Sequence, residues 1–451
     1  MFRPLYTRSL PRTLGLSRRR FISTTTPEIP AERHGHLPSS HSLITPTLSF
    51  FNSVTGGGTQ IPTYRVLDGA GNVIEGAEMP ELDRDFARRI YENMVCLPTI
   101  DNLLYNLQRQ GKISFYMTAY GEEATIIGTA AALAPDDEVL GQYRELGVLL
   151  FRNWGLKAIM NQCFGNHMDK ASKGKQMPVH WGSPEHHFHT ISSPLATQIP
   201  QAAGVAYALQ RDPERRGHNC AAVYFGDGAA SEGDFHAGML FASTLPSPTL
   251  FIARNNGFAI STPASEQYYG DGIAARGPGY GMDTIRVDGN DVLAVLAATR
   301  EARRRCIESG RGVLLEAMTY RVGHHSTSDD SFAYRPRQEV EDRKRIDNPI
   351  ARFRLFLHAR GWWSDEEELA LKERFKEEVM TEFRAAERAQ RHELGELFND
   401  VYAGELPYNL KEQRKELGRL VRKYGDAWEP WREELKKFKD GGKSVMDIED
   451  K

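Results

Sequence analysis

The stretch "AAVYFGDGAASEGD", Ala221 to Asp234, decides the fold. Its apolar run, Ala221 to Phe225, reads as a buried strand that ends in one carboxylate, Asp227, held between Gly226 and Gly228. Glycines at such a place let the backbone turn sharply and come close to a ligand. Ser231, with Asp234 three residues on, has the pattern of a capping box, so a helix is expected to start there. Helix N-termini favour anions, whereas a carboxylate favours a cation. A metal-bridged phosphate at the strand tip satisfies both demands.

The next apolar run, "PTLFIARNNGFAIST" (Pro248 to Thr262), ends in Arg254-Asn255-Asn256-Gly257. In a parallel sheet both strands deliver their carboxyl ends to one edge, where open α/β sheets bind ligands. Asp227 and Asn256 then offer two hard oxygens to one ion, with a backbone carbonyl nearby, a set that magnesium accepts. A third short run, Val313 to Ala317, repeats the alternation with helix-length segments. The expectation is a parallel α/β sheet with helices on both faces.

Upstream, Phe86, Ile90, Met94 and Leu97 make one apolar helix face, which Pro98 is expected to kink or break. "YRVLDGAGNVIEG" (Tyr64 to Gly76) reads as a short extended pair joined through Asp68-Gly69. Downstream of about 335 the chain turns to Lys, Arg and Glu. "SDEEELALKERFKEEVMTEFRAAERAQRHEL" reads as an amphipathic helix capped by Ser364, suited to packing or assembly. The expected organisation is a leader (1–27), a flexible or extended arm (28–80), an α/β domain (81–335) and a helical region (336–451).

The 451 residues carry a net charge of −3, which gives no global pointer to nucleic acid or an anionic membrane. Apolar runs fall short of a membrane span. The four cysteines form no CxxC pair and fit a reducing compartment. The first 27 residues differ: arginines at 3, 8, 12, 18, 19 and 20, many hydroxyls and no acid. That is the pattern of a mitochondrial transit peptide, the alternative being a solvated basic tail. His186, His187 and His189 superficially suggest metal, but neighbouring histidines do not turn easily to one ion; they read as a polar lead-in to Ser192.

Gly-Asp-Gly followed after residues 229–254 by Asn-Asn resembles the cofactor motif of thiamine diphosphate enzymes. "TYRVGHHSTSDDSFAYRP", "ISSPLATQIPQ", "GQYRELG" and "GDGIAARGPGYG" narrow the likeness to the alpha subunits of branched-chain 2-oxoacid dehydrogenases, from about residue 60 to past 400. The resemblance implies the thiamine diphosphate-binding fold, a mitochondrial matrix location, and magnesium held by Asp227, Asn256 and the carbonyl of Phe258. It implies cofactor contacts from Gln142, Tyr143, Arg144, Ser193, Leu195, Gly228, Ala229, Arg254, Arg321 and His325, with His325 as the acid–base residue. Ser192, Pro194, Thr197 and Gln198 resemble a potassium site.

In such enzymes the thiamine accepts the electrons released as CO2 leaves a branched 2-oxoacid, and the acyl group passes to a lipoyl-bearing transacylase core. The metal motif occurs once here, so the resemblance implies a beta subunit in an α2β2 assembly. Ser326 matches an inactivating phosphorylation site, which implies a kinase and a phosphatase; a second site in relatives is Pro336 here. Two other readings remain open on sequence: a pyruvate-type alpha subunit, and a non-catalytic assembly protein that kept the fold.

Overall fold

The computed structural model describes residues 60–399 and 402–436; the leader and the arm before residue 60 lie outside them. Strand β1 (Thr63–Tyr64) precedes α1 (Arg84–Arg109), α2 (Glu123–Ala132), β2 (Glu138–Leu140), α3 (Leu146–Phe151), α4 (Leu156–Phe164) and β3 (Phe188–His189). Then come α5 (Gln198–Arg211), β4 (Ala221–Gly226), α6 (Gly233–Thr244) and β5 (Thr249–Asn255). A small hairpin, β6 (Phe258–Ala259) and β7 (Thr262–Pro263), leads through α7 (Ala264–Gln267) to β8 (Asp283–Asp288), α8 (Val292–Ser309) and β9 (Val313–Met318). Helices α9 (Arg337–Ile346), α10 (Pro349–Ala359), α11 (Asp365–Arg388) and α12 (Tyr408–Lys423) follow.

Seven strands form one parallel sheet in the order β1-β8-β9-β5-β4-β2-β3. Alternation along β4 explains why both faces are covered. Ala222 and Tyr224 pack with α1, α2 and α8, whereas Ala221, Val223 and Phe225 pack with α5 and α6. Every residue of β5 is buried, as a central parallel strand requires. Close helix packing uses small residues: a Cβ on Gly128 of α2 would meet Val295 of α8 at 2.8 Å.

The predicted strands and two-faced sheet are present. Pro98, however, does not break α1, which runs through it. Leu97, Ile100 and Leu104 are fully buried on either side, and that burial offsets the roughly 3 kcal/mol that an interior proline costs. The box at Ser231 also fails. Residues 229–231 form a 3-10 turn and α6 starts at Gly233 without a side-chain cap, while the Ser231 hydroxyl donates to the Asp227 carbonyl.

The Ser364 cap is present in full: its Oγ accepts the Glu367 amide at 3.2 Å and the Glu367 carboxylate accepts the Ser364 amide at 2.9 Å. Residues 60–80 are extended but anchored, since buried Asp291 accepts the Val66 and Leu67 amides at 2.7 and 2.6 Å. Helices α10 and α11 share the main core through Phe353, Phe356, Leu371, Phe375 and Phe383. All four cysteines are free and buried. Among the described residues no helix is long and apolar enough to cross a membrane.

Candidate active site

Strand register brings the candidate residues to one edge. Leu140 lies opposite Val223 and His189, Gly226 opposite Arg254, and Asn255 opposite Met318. The loops leaving these strands carry Gln142–Arg144, Ser192–Gln198, Asp227–Ala229, Asn256–Phe258 and Arg321–Ser326. Only parallel strands ending together could gather segments so distant in sequence.

Asp227 is 2% exposed, and its Oδ2 accepts from the Gln267 amide at 2.8 Å. Burial raises its pKa, so a cation at this carboxylate relieves an unfavourable charge. Beside it, a Cβ on Gly228 would lie 2.8 Å from that of Ala259, so the turn leaves no room for a side chain there. Asn256 donates through Nδ2 to Glu122 at 2.8 Å, leaving Oδ1 to accept the Phe258 amide at 3.2 Å. Gln142 accepts the Gly226 amide at 2.8 Å and so ties the β2 loop to the β4 tip.

Beneath these loops lies a buried ionic group that sequence reading missed. Glu122 and Glu145 are fully buried, and Arg254 pairs with both. Burial works against the Glu122 charge, but Arg254 and Arg144 hold its pKa below the usual carboxylate range. Arg254, expected against diphosphate, donates to the two carboxylates through Nε and Nη1, while its buried Nη2 makes no hydrogen bond. The Glu145 carboxylate also accepts the Gln142 and Tyr143 amides at 2.8 and 2.7 Å. A signal existed: "GEEATIIGTAAALA" opens an apolar helix with two acids.

His325 sits between two guanidiniums, its Nδ1 3.4 Å from Arg144 and 3.4 Å from Arg321, with the Tyr143 ring 6.0 Å away. Burial first, then Arg144 and Arg321, push its pKa down to about 3. His325 is therefore neutral in this environment. Nδ1 faces only donors, so the neutral ring carries its proton on Nε2. Asp329 fixes the loop by accepting the His325 amide and the Tyr334 hydroxyl, both at 2.7 Å. Arg321 in turn donates to Tyr334 Oη and to the Ile260 carbonyl at 2.7 Å. Ser326 is buried, and Thr327 bonds Tyr116 in both directions.

The Ser192 turn is exposed. Ser192 Oγ lies 3.4 Å from Thr197 Oγ1, which donates to the Pro194 carbonyl at 3.2 Å. Gln198 donates to the Tyr224 carbonyl at 3.0 Å, which ties this turn to β4 and frees its amide oxygen. Ser193 bonds His180 at 2.8 Å, and Leu195 is 43% exposed. His187 and His189 both reach Glu138 at 3.1 Å, an acidic partner that spacing did not reveal.

The donor set fits a divalent ion with an anion: a buried carboxylate and an amide oxygen, with the Nε of Arg321 and the Nη2 of Arg254 buried without hydrogen-bond partners. The sequence profile of the dehydrogenase E1 component matches residues 91–394. The 2-oxoisovalerate dehydrogenase subunit alpha, mitochondrial, of Homo sapiens is 55% identical over 82% of this chain and 82% of its own length. Its Caenorhabditis elegans counterpart is 52% identical over 82% and 84%, and subunit alpha 1 of Arabidopsis thaliana 50% identical over 82% and 78%. Such E1 components imply thiamine diphosphate. With the parallel sheet and its gathered strand tips already in place, the chain belongs to the dehydrogenase E1 components, among the alpha subunits of the branched-chain 2-oxoacid dehydrogenases.

Proposed function

We propose that the chain is the cofactor-binding half of a mitochondrial matrix enzyme that decarboxylates branched 2-oxoacids, completed by a beta subunit in an α2β2 assembly. The observation that carries the site is the pairing of Gly226 with Arg254, which sets Asp227 and Asn256 at neighbouring strand ends. There Asp227, Asn256 Oδ1 and the Phe258 carbonyl hold magnesium, and Gly228 and Ala229 line the diphosphate. Arg321, Arg144, Tyr143 and Gln142 complete the binding edge, while Arg254 acts from beneath it. Ser193 and Leu195 face the thiamine, and Ser192, Pro194, Thr197 and Gln198 hold potassium.

Thiamine diphosphate supplies the electron sink for loss of CO2. His325 enters as a neutral imidazole that donates from Nε2. An anion against Arg144 and Arg321 offsets their field and lifts His325 toward the range where proton transfer operates. The acyl product passes to a lipoyl-bearing core, residues 81–335 carry the chemistry, and 336–451 add packing and assembly. Phosphorylation of Ser326 by a kinase, reversed by a phosphatase, switches the loop.

The test is co-expression with the beta subunit and a 2-oxoacid panel. Branched 2-oxoacids should lose CO2 only with both thiamine diphosphate and magnesium, and Asp227→Ala should lower cofactor uptake by calorimetry at least about tenfold. Unchanged uptake would overturn the magnesium assignment.

A further inference from the structure

We infer that Glu122 is a positioning residue of this site: one buried carboxylate orients the Asn256 amide and ties the metal end to the loop of His325. The inference rests on the magnesium reading above. Glu122 stands at the start of α2, fully buried, facing the tips of β4 and β5 from beneath. No role falls to it from the sequence motifs.

Its acceptor character decides the geometry. A carboxylate only accepts, so it takes Asn256 Nδ2 at 2.8 Å and forces Oδ1 to the opposite side. Oδ1 there accepts the Phe258 amide at 3.2 Å and keeps a second lone pair for an ion. The reversed amide would set Oδ1 against the carboxylate and Nδ2 against the Phe258 N–H, unfavourable at both ends. Glu122 thus selects the one orientation in which Asn256 is a metal ligand.

The carboxylate reaches further through both of its oxygens. Arg254 donates to Glu122 Oε2 and also to Glu145 Oε1, through Nε at 2.9 Å. Arg144 places Nε 3.8 Å from Glu122 Oε1 and donates through Nη2 to the His325 carbonyl at 2.8 Å. A chain of contacts therefore runs Asn256–Glu122–Arg144–His325. Arg254 pairs with both Glu122 and Glu145, so the buried charges compensate one another.

The experiment uses the α2β2 enzyme with Glu122→Gln, Asn256→Asp, and both together, magnesium uptake being titrated calorimetrically with thiamine diphosphate present. Glu122→Gln removes the preference between the two amide orientations and should weaken magnesium about tenfold or more. Asn256→Asp opposes two carboxylates and should also weaken it. The double variant restores the hydrogen bond with donor and acceptor exchanged and the same total charge, and should return to within about threefold of the parent. A double variant no tighter than Glu122→Gln overturns the inference, because a merely structural role gains nothing from the exchange. Should Glu122→Gln not assemble, recovery of assembly and metal uptake by the double variant still supports the role, and its failure overturns it. Asp227→Ala separates the two readings. If it loses magnesium while Glu122→Gln retains it, the positioning role falls and the metal site stands; if Asp227→Ala also retains it, both fall.

Discussion

At the scale of single residues, His325 shows how environment overrides intrinsic chemistry. Two guanidiniums and burial keep it neutral, with a folded pKa of about 3, whereas the unfolded imidazole binds a proton below about pH 6.5. The unfolded chain thus gains protons first as pH falls. The penalty is absent above about pH 6.5 and grows down to the folded pKa. His325→Gln removes it, so denaturant midpoints of the cofactor-free assembly should favour the variant more at pH 5 than at pH 7. A difference that does not change with pH would contradict this environment. Acids move the other way: burial lifts Glu123 to about 8 and Asp101 to about 7, although the Gly121 amide bonds the first and the Ala119 amide and Tyr116 hydroxyl bond the second. None of these directions follows from residue type alone.

At the scale of elements, the loop from Thr319 to Pro336 has no regular structure except a short 3-10 turn, Ser331–Ala333. It is held by side chains instead. Asp329 accepts from the His325 amide and Tyr334, Thr327 bonds Tyr116, and Arg335 donates to the Gly323 carbonyl at 2.7 Å. Ser326 Oγ accepts the Ser328 amide at 3.2 Å inside this frame. A phosphate there adds roughly −1.5 to −2 charges beside Asp329 in a buried setting, and the loop should open. Mass spectrometry of the native protein should find phosphorylated Ser326 in some nutritional state. Ser326→Asp should speed tryptic cutting at Arg321 several-fold. Absence of the phosphopeptide in every state, with unchanged cutting, would remove the switch. The regular elements behaved differently: α11 kept its capping box because Ser364 and Glu367 are local partners, whereas Ser231 was drawn to the Asp227 carbonyl by the tight turn at Gly228.

At the scale of the molecule, among the described residues one seven-stranded parallel sheet gathers Asp227 and Asn256 at one edge, and Leu195 and Ile260 are exposed. Purified without its beta partner, the chain should release no CO2 from any 2-oxoacid above the uncatalysed rate, and robust turnover by the chain alone would contradict the two-subunit site. The strand runs, both covered faces and the Asp227–Asn256 pair were legible in the sequence, because alternation and turn chemistry are short-range and each strand reports its own burial. Glu122, Glu145 and Asp329 were not legible as partners: their meaning lies in contacts with Arg254, Asn256, His325 and the amides of Gln142 and Tyr143, which no spacing rule encodes. The same limit explains why the two acids beside Arg254 were not foreseen. The amino-acid order by itself determined a parallel sheet with a cation-seeking carboxylate at a strand tip and the family to which it belongs. Only the tertiary structure decided which guanidiniums are occupied, which way the Asn256 amide faces and that His325 is neutral, because charge state and hydrogen-bond direction depend on groups brought within a few ångströms from distant parts of the chain.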